Sequence, residues 1–274
     1  MKLEYSDVKK TAGKLKFRTR AFIDGNFVTA ASGKTYVSVN PATGQPLTNI
    51  ASCEAEDVNL AVKAARRSFE QGVWSKRSPA ERKQVLLKLA DLLEENLAEI
   101  ALLDCLDAGK PITDCMTIDA PDTVHCFRWH AEAIDKEYEK VAPTGPGNVA
   151  MVVREPLGVI GAILPWNFPI QMGAWKLGPI LATGNSVVVK PARQTSLSML
   201  RLAELAAEAG IPEGVLNVIP GNGGVIGAAL CKHMDVDAAA FTGSTEVGRQ
   251  LLHYSAESNL KRTVLELGGK NPQL

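Results

Sequence analysis

From residue 151 onward, the sequence alternates between short runs of β-branched and other aliphatic residues and segments of helical character. The runs predict strands over residues 159–164, 186–189, 215–219, 238–241 and 263–267. The segments between them predict helices over 196–209, 225–232 and 245–255, and Gly210 and Pro212 mark the end of the first helix. Strands that alternate with helices pair in parallel through crossover connections. The chain is therefore predicted to have an α/β fold, in which helices cover both faces of a doubly wound parallel sheet.

The first third of the chain is predicted to be mainly helical after an extended entry over residues 21–28. Ser78-Pro79-Ala80-Glu81 is a capping box with proline at the first helical position, which predicts a helix start. Apolar residues then recur three or four positions apart and predict one core-facing stripe, formed by Leu86, Leu89, Leu93, Leu97 and Ile100. The segment 137–153 contains a turn rich in glycine and proline, and it is predicted to be an excursion before the first strand of the sheet.

The charge balance excludes ligands that are bound mainly through a strong electrostatic field. The 30 lysines and arginines match the 30 aspartates and glutamates, so neither nucleic acid nor a membrane surface is a predicted partner. The five cysteines are widely spaced and form no C-x-x-C pair, so the sequence predicts no disulfide framework and no metal site. Free cysteines and an amino-terminal segment without an apolar signal core predict a cytoplasmic protein.

One uncharged stretch, over residues 156–175, approaches the length of a membrane-spanning helix. Pro165 and Pro169 interrupt it, and the polar Asn167 lies between them. Two prolines so close together break a helix. The stretch is therefore predicted to be a buried strand that runs into a shaped loop, with transmembrane insertion as the disfavoured alternative.

Two glycine-bearing loops follow predicted strands, and in a doubly wound sheet ligands bind at the carboxyl ends of the strands. Gly221-Asn222-Gly223-Gly224 leads through Gly227 into a helix, but its G-x-G-x-x-x-G spacing differs from the usual dinucleotide fingerprint. Phe241-Thr242-Gly243-Ser244 leads into the helix predicted from residue 245, whose first amides could meet a phosphate. The same residues also suit an ordinary serine cap, so both interpretations stay open.

Three further side chains suit chemistry at these strand ends. Asn167, in Pro165-Trp166-Asn167-Phe168-Pro169, could donate a hydrogen bond to an oxyanion, or the segment could be a rigid turn. Lys190 could reach a cofactor ribose or phosphate, or it could be an exposed lysine at a strand end. Glu266 lies among apolar neighbours, where burial would favour a general base; an unpaired buried carboxylate is costly, so a functional role is favoured.

Together these motifs make the chain resemble the amino-terminal half of the aldehyde dehydrogenase superfamily. PWNFP, the Lys-Pro strand end, FTGSTEVG and LELGGK occur in order, and the resemblance extends from Phe22 to Leu274. The segment 129–136 and the Trp175-Lys176-Leu177-Gly178-Pro179 run are similar to gamma-aminobutyraldehyde-type and betaine-aldehyde-type members.

The resemblance implies a domain organisation and a homodimeric or homotetrameric parent enzyme. Residues 21–136 and 154–270 would form a Rossmann-like dinucleotide-binding domain, residues 1–20 an amino-terminal tail, and residues 137–153 an oligomerisation hairpin. Residues 271–274 would begin a catalytic domain that is otherwise missing.

The resemblance also implies site roles. Asn167 would be the oxyanion donor and Glu266 the base that activates water. The residues implied to bind NAD or NADP are Leu164, Pro165, Trp166, Lys190, Arg193, Gly223, Gly227, Phe241, Gly243, Ser244, Leu267 and Gly268. Phe168, Met172 and Trp175 would line the aldehyde tunnel, and Lys176 would support proton movement near Glu266.

Arg193 occupies a position where the family often has glutamate. That carboxylate would accept hydrogen bonds from the ribose of NAD and repel a 2′-phosphate. A guanidinium instead binds phosphate, so NADP is predicted to be tolerated or preferred. The alternative is that Arg193 turns to solvent and leaves cofactor choice unchanged.

The family's nucleophile is a cysteine beyond the Glu266 motif, and none of the five cysteines here has its surrounding motif. The chain is therefore predicted to be a fragment of an NAD(P)-dependent aldehyde dehydrogenase, which oxidises an aldehyde to a carboxylic acid through a cysteine thiohemiacetal and thioester. The fragment alone is predicted to be inactive. A non-catalytic nucleotide-binding or subunit-interaction module is the alternative, and Glu266 argues against a coenzyme A dependent relative.

Overall fold

The computed structural model describes residues 5–270. Its strands are β1 (Ala21–Ile23), β2 (Asn26–Val28), β3 (Thr35–Val39), β4 (Pro46–Ala51), β5 (Lys140–Ala142), β6 (Ala150–Val152), β7 (Val159–Ile163), β8 (Ser186–Lys190), β9 (Leu216–Val218), β10 (Ala238–Thr242) and β11 (Arg262–Glu266). Its helices are α1 (Tyr5–Ala12), α2 (Ala55–Gln71), α3 (Pro79–Glu95), α4 (Leu97–Ala108), α5 (Ile112–Asp114), α6 (Ala120–Ala133), α7 (Pro169–Ala182), α8 (Leu197–Ala209), α9 (Gly223–Lys232) and α10 (Thr245–Ala256), with a π-helical turn at Cys115–Asp119.

Seven strands form the main sheet in the order β11-β10-β7-β8-β9-β1-β2. The five strands from β7 to β11 pair in parallel, as predicted. The prediction of a wholly parallel sheet is wrong at one edge, where β1 runs antiparallel to both β9 and β2. Asp24 and Gly25, both with positive φ, form the short turn between β1 and β2, and a turn of that length can join only antiparallel strands.

Helices cover both faces of the sheet because successive strand residues point to opposite sides. Val187 and Val189 belong to the core cluster that includes residues of α7 and α8. Val188, between them, belongs to the cluster that includes residues of α2 and α9. The predicted two-sided α/β arrangement is thus confirmed.

The predicted single stripe from residue 86 to residue 100 is divided between two helices, because α3 ends and α4 begins at Asn96. The Asn96 side-chain amide donates to the Leu92 carbonyl at 2.8 Å. Its side-chain oxygen accepts from Arg201 at 3.1 Å. The Asn96 side chain therefore gives the Leu92 carbonyl a local hydrogen-bond donor, and such side-chain bonds compete with the regular bonds of a helix.

Two hairpins lie outside the main sheet. β3 and β4 flank a turn around Pro41, and β5 and β6 form a hairpin inside the predicted excursion 137–153. Helix α1 lies within the predicted amino-terminal tail, and residues 271–274, predicted to begin the catalytic domain, lie outside the described residues. Within residues 5–270, none of the helices combines the length and apolar character that crossing a membrane requires.

Candidate cofactor and active site

The strand order reverses on the two sides of β7: β8 and β9 follow on one side, and β10 and β11 lie on the other. Such a switch point opens a crevice at the carboxyl ends of the strands. A cleft of about 1280 Å³ lies there, and it is lined by the loops that follow β7, β8, β9, β10 and β11.

Almost all predicted site residues line this one cleft. They are Leu164, Pro165, Trp166, Asn167, Met172, Trp175, Lys190, Arg193, Gly223, Gly227, Phe241, Gly243, Ser244, Glu266, Leu267 and Gly268. Phe168 is the exception among the predicted residues. Segments separated by more than one hundred positions in sequence are therefore brought together by the sheet topology.

The PWNFP segment forms the loop between β7 and α7, and Pro169 is the first residue of α7. Asn167 is exposed, and no described residue hydrogen-bonds its side-chain amide. Asp104, buried on α4, accepts a hydrogen bond from the Ile170 amide at 3.3 Å, which fixes the start of α7. The loop thus holds a free amide donor at the cleft on a rigid base.

Phe168, predicted to line the aldehyde tunnel, packs against Lys110, which lies between α4 and α5. The Lys110 ammonium lies 3.6 Å from the centre of its ring, and Lys110 also pairs with the buried Asp119. Cation–π attraction of this kind holds an aromatic ring in place. Asp104, which accepts from the Ile170 amide, lies near Asp119. Burial and the charge of Asp119 raise the pKa of Asp104 to about 7.

Lys190 is not the exposed strand-end lysine that the simpler interpretation expected. Only 5% of it is exposed, and burial lowers the pKa of Lys190 to about 8. A Cβ atom on Gly223 would lie 3.3 Å from its ammonium, so the loop after β9 closely approaches the end of the Lys190 side chain. Asn222 caps α9 by accepting from the Gly224 amide at 2.8 Å.

Ser244 caps α10, as the simpler interpretation of that motif expected. Its hydroxyl accepts from the Val247 amide at 3.3 Å. The other first-turn amides of a helix lack partners within the helix, and they lie at the positive end of its dipole. A Cβ atom on Gly243 would come within 2.4 Å of the Phe241 ring, so glycine is required at that approach. The cap and an anion site are therefore compatible here.

Glu266 is exposed, so the expected burial of this carboxylate is wrong. It ends β11, which among the described strands pairs with β10 alone and forms an edge of the sheet, and the nearby Val264 is 56% exposed. Glu266 is paired in register with Thr242, whose hydroxyl accepts from the Lys176 ammonium at 2.7 Å. Burial lowers the pKa of Lys176, and the Glu266 carboxylate opposes that effect.

Two residues that contact the lining of the cleft were missed from the sequence. Asp122, on α6, accepts hydrogen bonds from the Trp175 indole at 2.9 Å and from Gln171 at 2.8 Å. Tyr36, on β3, lies beneath the Arg193 guanidinium, whose carbon is 4.9 Å from the ring centre. Neither residue belongs to a recognisable motif, and each lies far in sequence from its partner, so only the fold reveals the contact.

None of the five cysteines lines the cleft. Burial raises the pKa of Cys115 and Cys126 to about 12 and that of Cys231 to about 11. It also raises the pKa of Cys53 and Cys105. A reactive thiol is ionised and accessible, so none of these thiols has the character of a nucleophile.

Comparison with known proteins gives matches along nearly the whole chain. The chain is 58% identical over 269 residues to the aminoacetaldehyde dehydrogenase of Pseudomonas aeruginosa. The match covers 98% of this chain and 54% of that protein. It is 52% identical over 260 residues to the NADP/NAD-dependent aldehyde dehydrogenase PuuC of Escherichia coli. This match covers 95% of this chain and 52% of that protein. The chain therefore spans about half the length of these relatives.

A solved structure gives the same match in three dimensions. It is that of a mutant of the P. syringae indole-3-acetaldehyde dehydrogenase AldA in complex with NAD+ and IAA, with a TM-score of 0.97 and 50% sequence identity. The match covers 99% of this chain and 55% of that one. The family model described as "Aldehyde dehydrogenase family" matches residues 27–274. The chain thus belongs to the aldehyde dehydrogenase family.

Proposed function

We propose that this chain carries the NAD(P)-binding part of an enzyme that oxidises an aldehyde to a carboxylic acid. The observation that carries the proposal is the switch-point cleft, where Asn167, Lys190, Ser244 and Glu266 converge. The E. coli relative is named as NADP/NAD-dependent, and the P. syringae structure holds NAD+. These two relatives support a nicotinamide dinucleotide as the ligand of this cleft, where it would supply a hydride acceptor.

Residues 21–136 and 154–270 are proposed to be one dinucleotide-binding domain, and residues 137–153 an oligomerisation hairpin. Within the described part of the chain, β5 pairs only with β6. Val141, Val149 and Met151 are 73%, 81% and 66% exposed. An exposed apolar patch of this kind marks an interaction surface, so the hairpin supports a homodimeric or homotetrameric enzyme.

The cleft offers a distinct contact for each polar part of the cofactor. The amino-terminal turn of α10 beside Ser244 suits the pyrophosphate, with Trp166 across the cleft. Lys190, held beside Gly223, suits the adenosine ribose. Arg193 borders the same end of the cleft and suits a 2′-phosphate.

The remaining polar groups suit the chemistry of aldehyde oxidation. The Asn167 amide is proposed to donate to the oxyanion that forms when a thiolate adds to the aldehyde carbon. Glu266 is proposed to take a proton from the water that hydrolyses the resulting thioester, with Lys176 nearby. The thiolate has to come from outside the described residues, because none of the cysteines reaches the cleft.

Arg193→Glu is expected to shift cofactor preference from NADP+ towards NAD+. The substitution replaces a phosphate-binding cation with a carboxylate that repels phosphate, and a charge-assisted hydrogen bond contributes about 1.5–3 kcal/mol. The ratio of the two dissociation constants should therefore change by at least about tenfold. Isothermal titration of the chain with each cofactor measures this ratio. Tighter binding of NAD+ by the wild type, with the ratio unchanged in the variant, would show that Arg193 does not select the cofactor.

We further propose an aldehyde that carries an amino group as the substrate, in keeping with the name of the P. aeruginosa relative. Asp122 is half-buried and accepts a hydrogen bond from Trp175, which lines the cleft. Its carboxylate oxygens accept two hydrogen bonds and keep capacity for more. A carboxylate with free acceptor capacity is a suitable site for an ammonium group.

Asp122→Asn is expected to lower kcat/KM for an aminoaldehyde by about 10- to 100-fold, since a hydrogen bond to a charged group is lost. The assay uses a fusion of this chain to the part of the P. aeruginosa relative that the chain does not match. An uncharged aldehyde of equal length should be oxidised at an unchanged rate. Asp114→Asn, at an exposed carboxylate on α5, is the matched control. Equal losses for both aldehydes would show that Asp122 is merely structural.

A further inference from the structure

Arg193 lies in the turn between β8 and α8 and is exposed. Among the described residues, its guanidinium makes no hydrogen bond and no ion pair. The position of the guanidinium is nevertheless fixed by stacking, because its central carbon lies 4.9 Å from the centre of the Tyr36 ring. Stacking uses the face of the guanidinium and leaves the donors at its rim available.

The Tyr36 ring is itself fixed. Tyr36 is 6% exposed, and its hydroxyl lies 2.9 Å from the Ser196 hydroxyl. Ser196 donates in turn to the Ala192 carbonyl at 2.9 Å, so Tyr36 is the donor of the pair. Residues 192 and 196 flank Arg193 on both sides, which ties the ring to the same turn that carries the guanidinium.

The ring also stays neutral over the pH range in which the cofactor is bound. Burial raises the pKa of Tyr36 to about 12, although Ser196 and Arg193 oppose the effect. The contact is therefore a stack of a cation on a neutral aromatic ring.

We infer that Tyr36 is a positioning residue that holds the Arg193 guanidinium for the 2′-phosphate of NADP and thereby sets cofactor choice. The inference rests on the proposed function, because it requires the cleft to bind a nicotinamide dinucleotide. An unstacked arginine loses side-chain freedom when it binds phosphate, whereas a stacked one has already lost it. The stack thus favours NADP and leaves NAD unaffected.

The test is titration calorimetry of this chain with NADP+ and with NAD+. Tyr36→Leu removes the ring and should weaken NADP+ binding about tenfold, with NAD+ binding unchanged. Tyr36→Phe keeps the ring and should bind both cofactors as the wild type does. In an Arg193→Gln background, Tyr36→Leu should have no further effect on either cofactor, since the group that it positions is gone.

Arg193→Lys provides a second test, in which the buried Tyr36 is left unchanged. It keeps the charge but loses the flat, stacked fork, and it should also weaken NADP+ binding selectively. The inference is overturned if Tyr36→Leu melts cooperatively and leaves NADP+ affinity unchanged, or if it weakens both cofactors equally. It is equally overturned if Arg193→Lys binds NADP+ as tightly as the wild type. If the wild type binds neither cofactor, the proposed function falls, and the inference falls with it.

Discussion

We expect the 274-residue chain to reduce neither NAD+ nor NADP+ when it is mixed with an aldehyde. Hydride transfer in this chemistry follows attack by a thiolate on the aldehyde carbon. None of the five cysteines lines the cleft, and burial raises the pKa of every one of their thiols. The measurement is the absorbance of reduced nicotinamide in the presence of purified chain, aldehyde and either cofactor.

Fusion to the unmatched part of the P. aeruginosa relative is the positive control for this expectation. The relative is 58% identical over the matched residues, so the two parts should fit together and turnover should appear. Steady turnover by the unfused chain, purified from a host that lacks aldehyde dehydrogenases, would refute the expectation. Failure of a folded fusion to turn over would show that the cleft residues do not serve aldehyde oxidation.

In the same fusion, Glu266→Gln is expected to lower steady-state kcat by about 10²- to 10⁴-fold, the usual contribution of a general base. A glutamine cannot take a proton from water, so the thioester should accumulate. Cofactor reduction comes before that step, so a rapid-mixing experiment should still show a burst of reduced nicotinamide.

Two other variants serve as comparisons for Glu266→Gln. Asn167→Ala should lower kcat by about 10²- to 10³-fold and remove the burst, because the oxyanion forms before hydride transfer. Glu257→Gln, at an exposed carboxylate that pairs with Lys232, should behave as the unmodified fusion does. Loss of the burst in Glu266→Gln would contradict the assigned role and show that Glu266 acts before water attack.

The parallel part of the sheet could be predicted from the sequence because its signals are local. The strand at Ser186–Lys190 is a run of valines, and the helix at Leu197–Ala209 ends at Gly210, which adopts positive φ. Each signal lies within a few residues of the feature that it predicts. The parallel pairing then followed from the helical segments between the strands, which act as crossover connections.

The structural features that were not predicted from the sequence depend on contacts with residues far away in the chain. The break at Asn96 needs Arg201, and the orientation of Phe168 needs Lys110. Glu266 was expected to be buried because its sequence neighbours are apolar, but burial depends on what packs against a strand, and β11 lies at the edge of the sheet. Hydrophobic periodicity does not identify such partners.

A crystal structure of this chain grown with NADP+ tests the central claim most directly. We expect the pyrophosphate at the start of α10 beside Ser244, the adenosine ribose at Lys190 and the 2′-phosphate on Arg193. The nicotinamide ring should point towards Asn167 and Glu266. Nucleotide bound elsewhere, for example in the smaller pocket lined by Lys63, Arg66, Arg67, Glu70, Gln71 and Asp235, with the switch-point cleft empty, would contradict the proposed cofactor site.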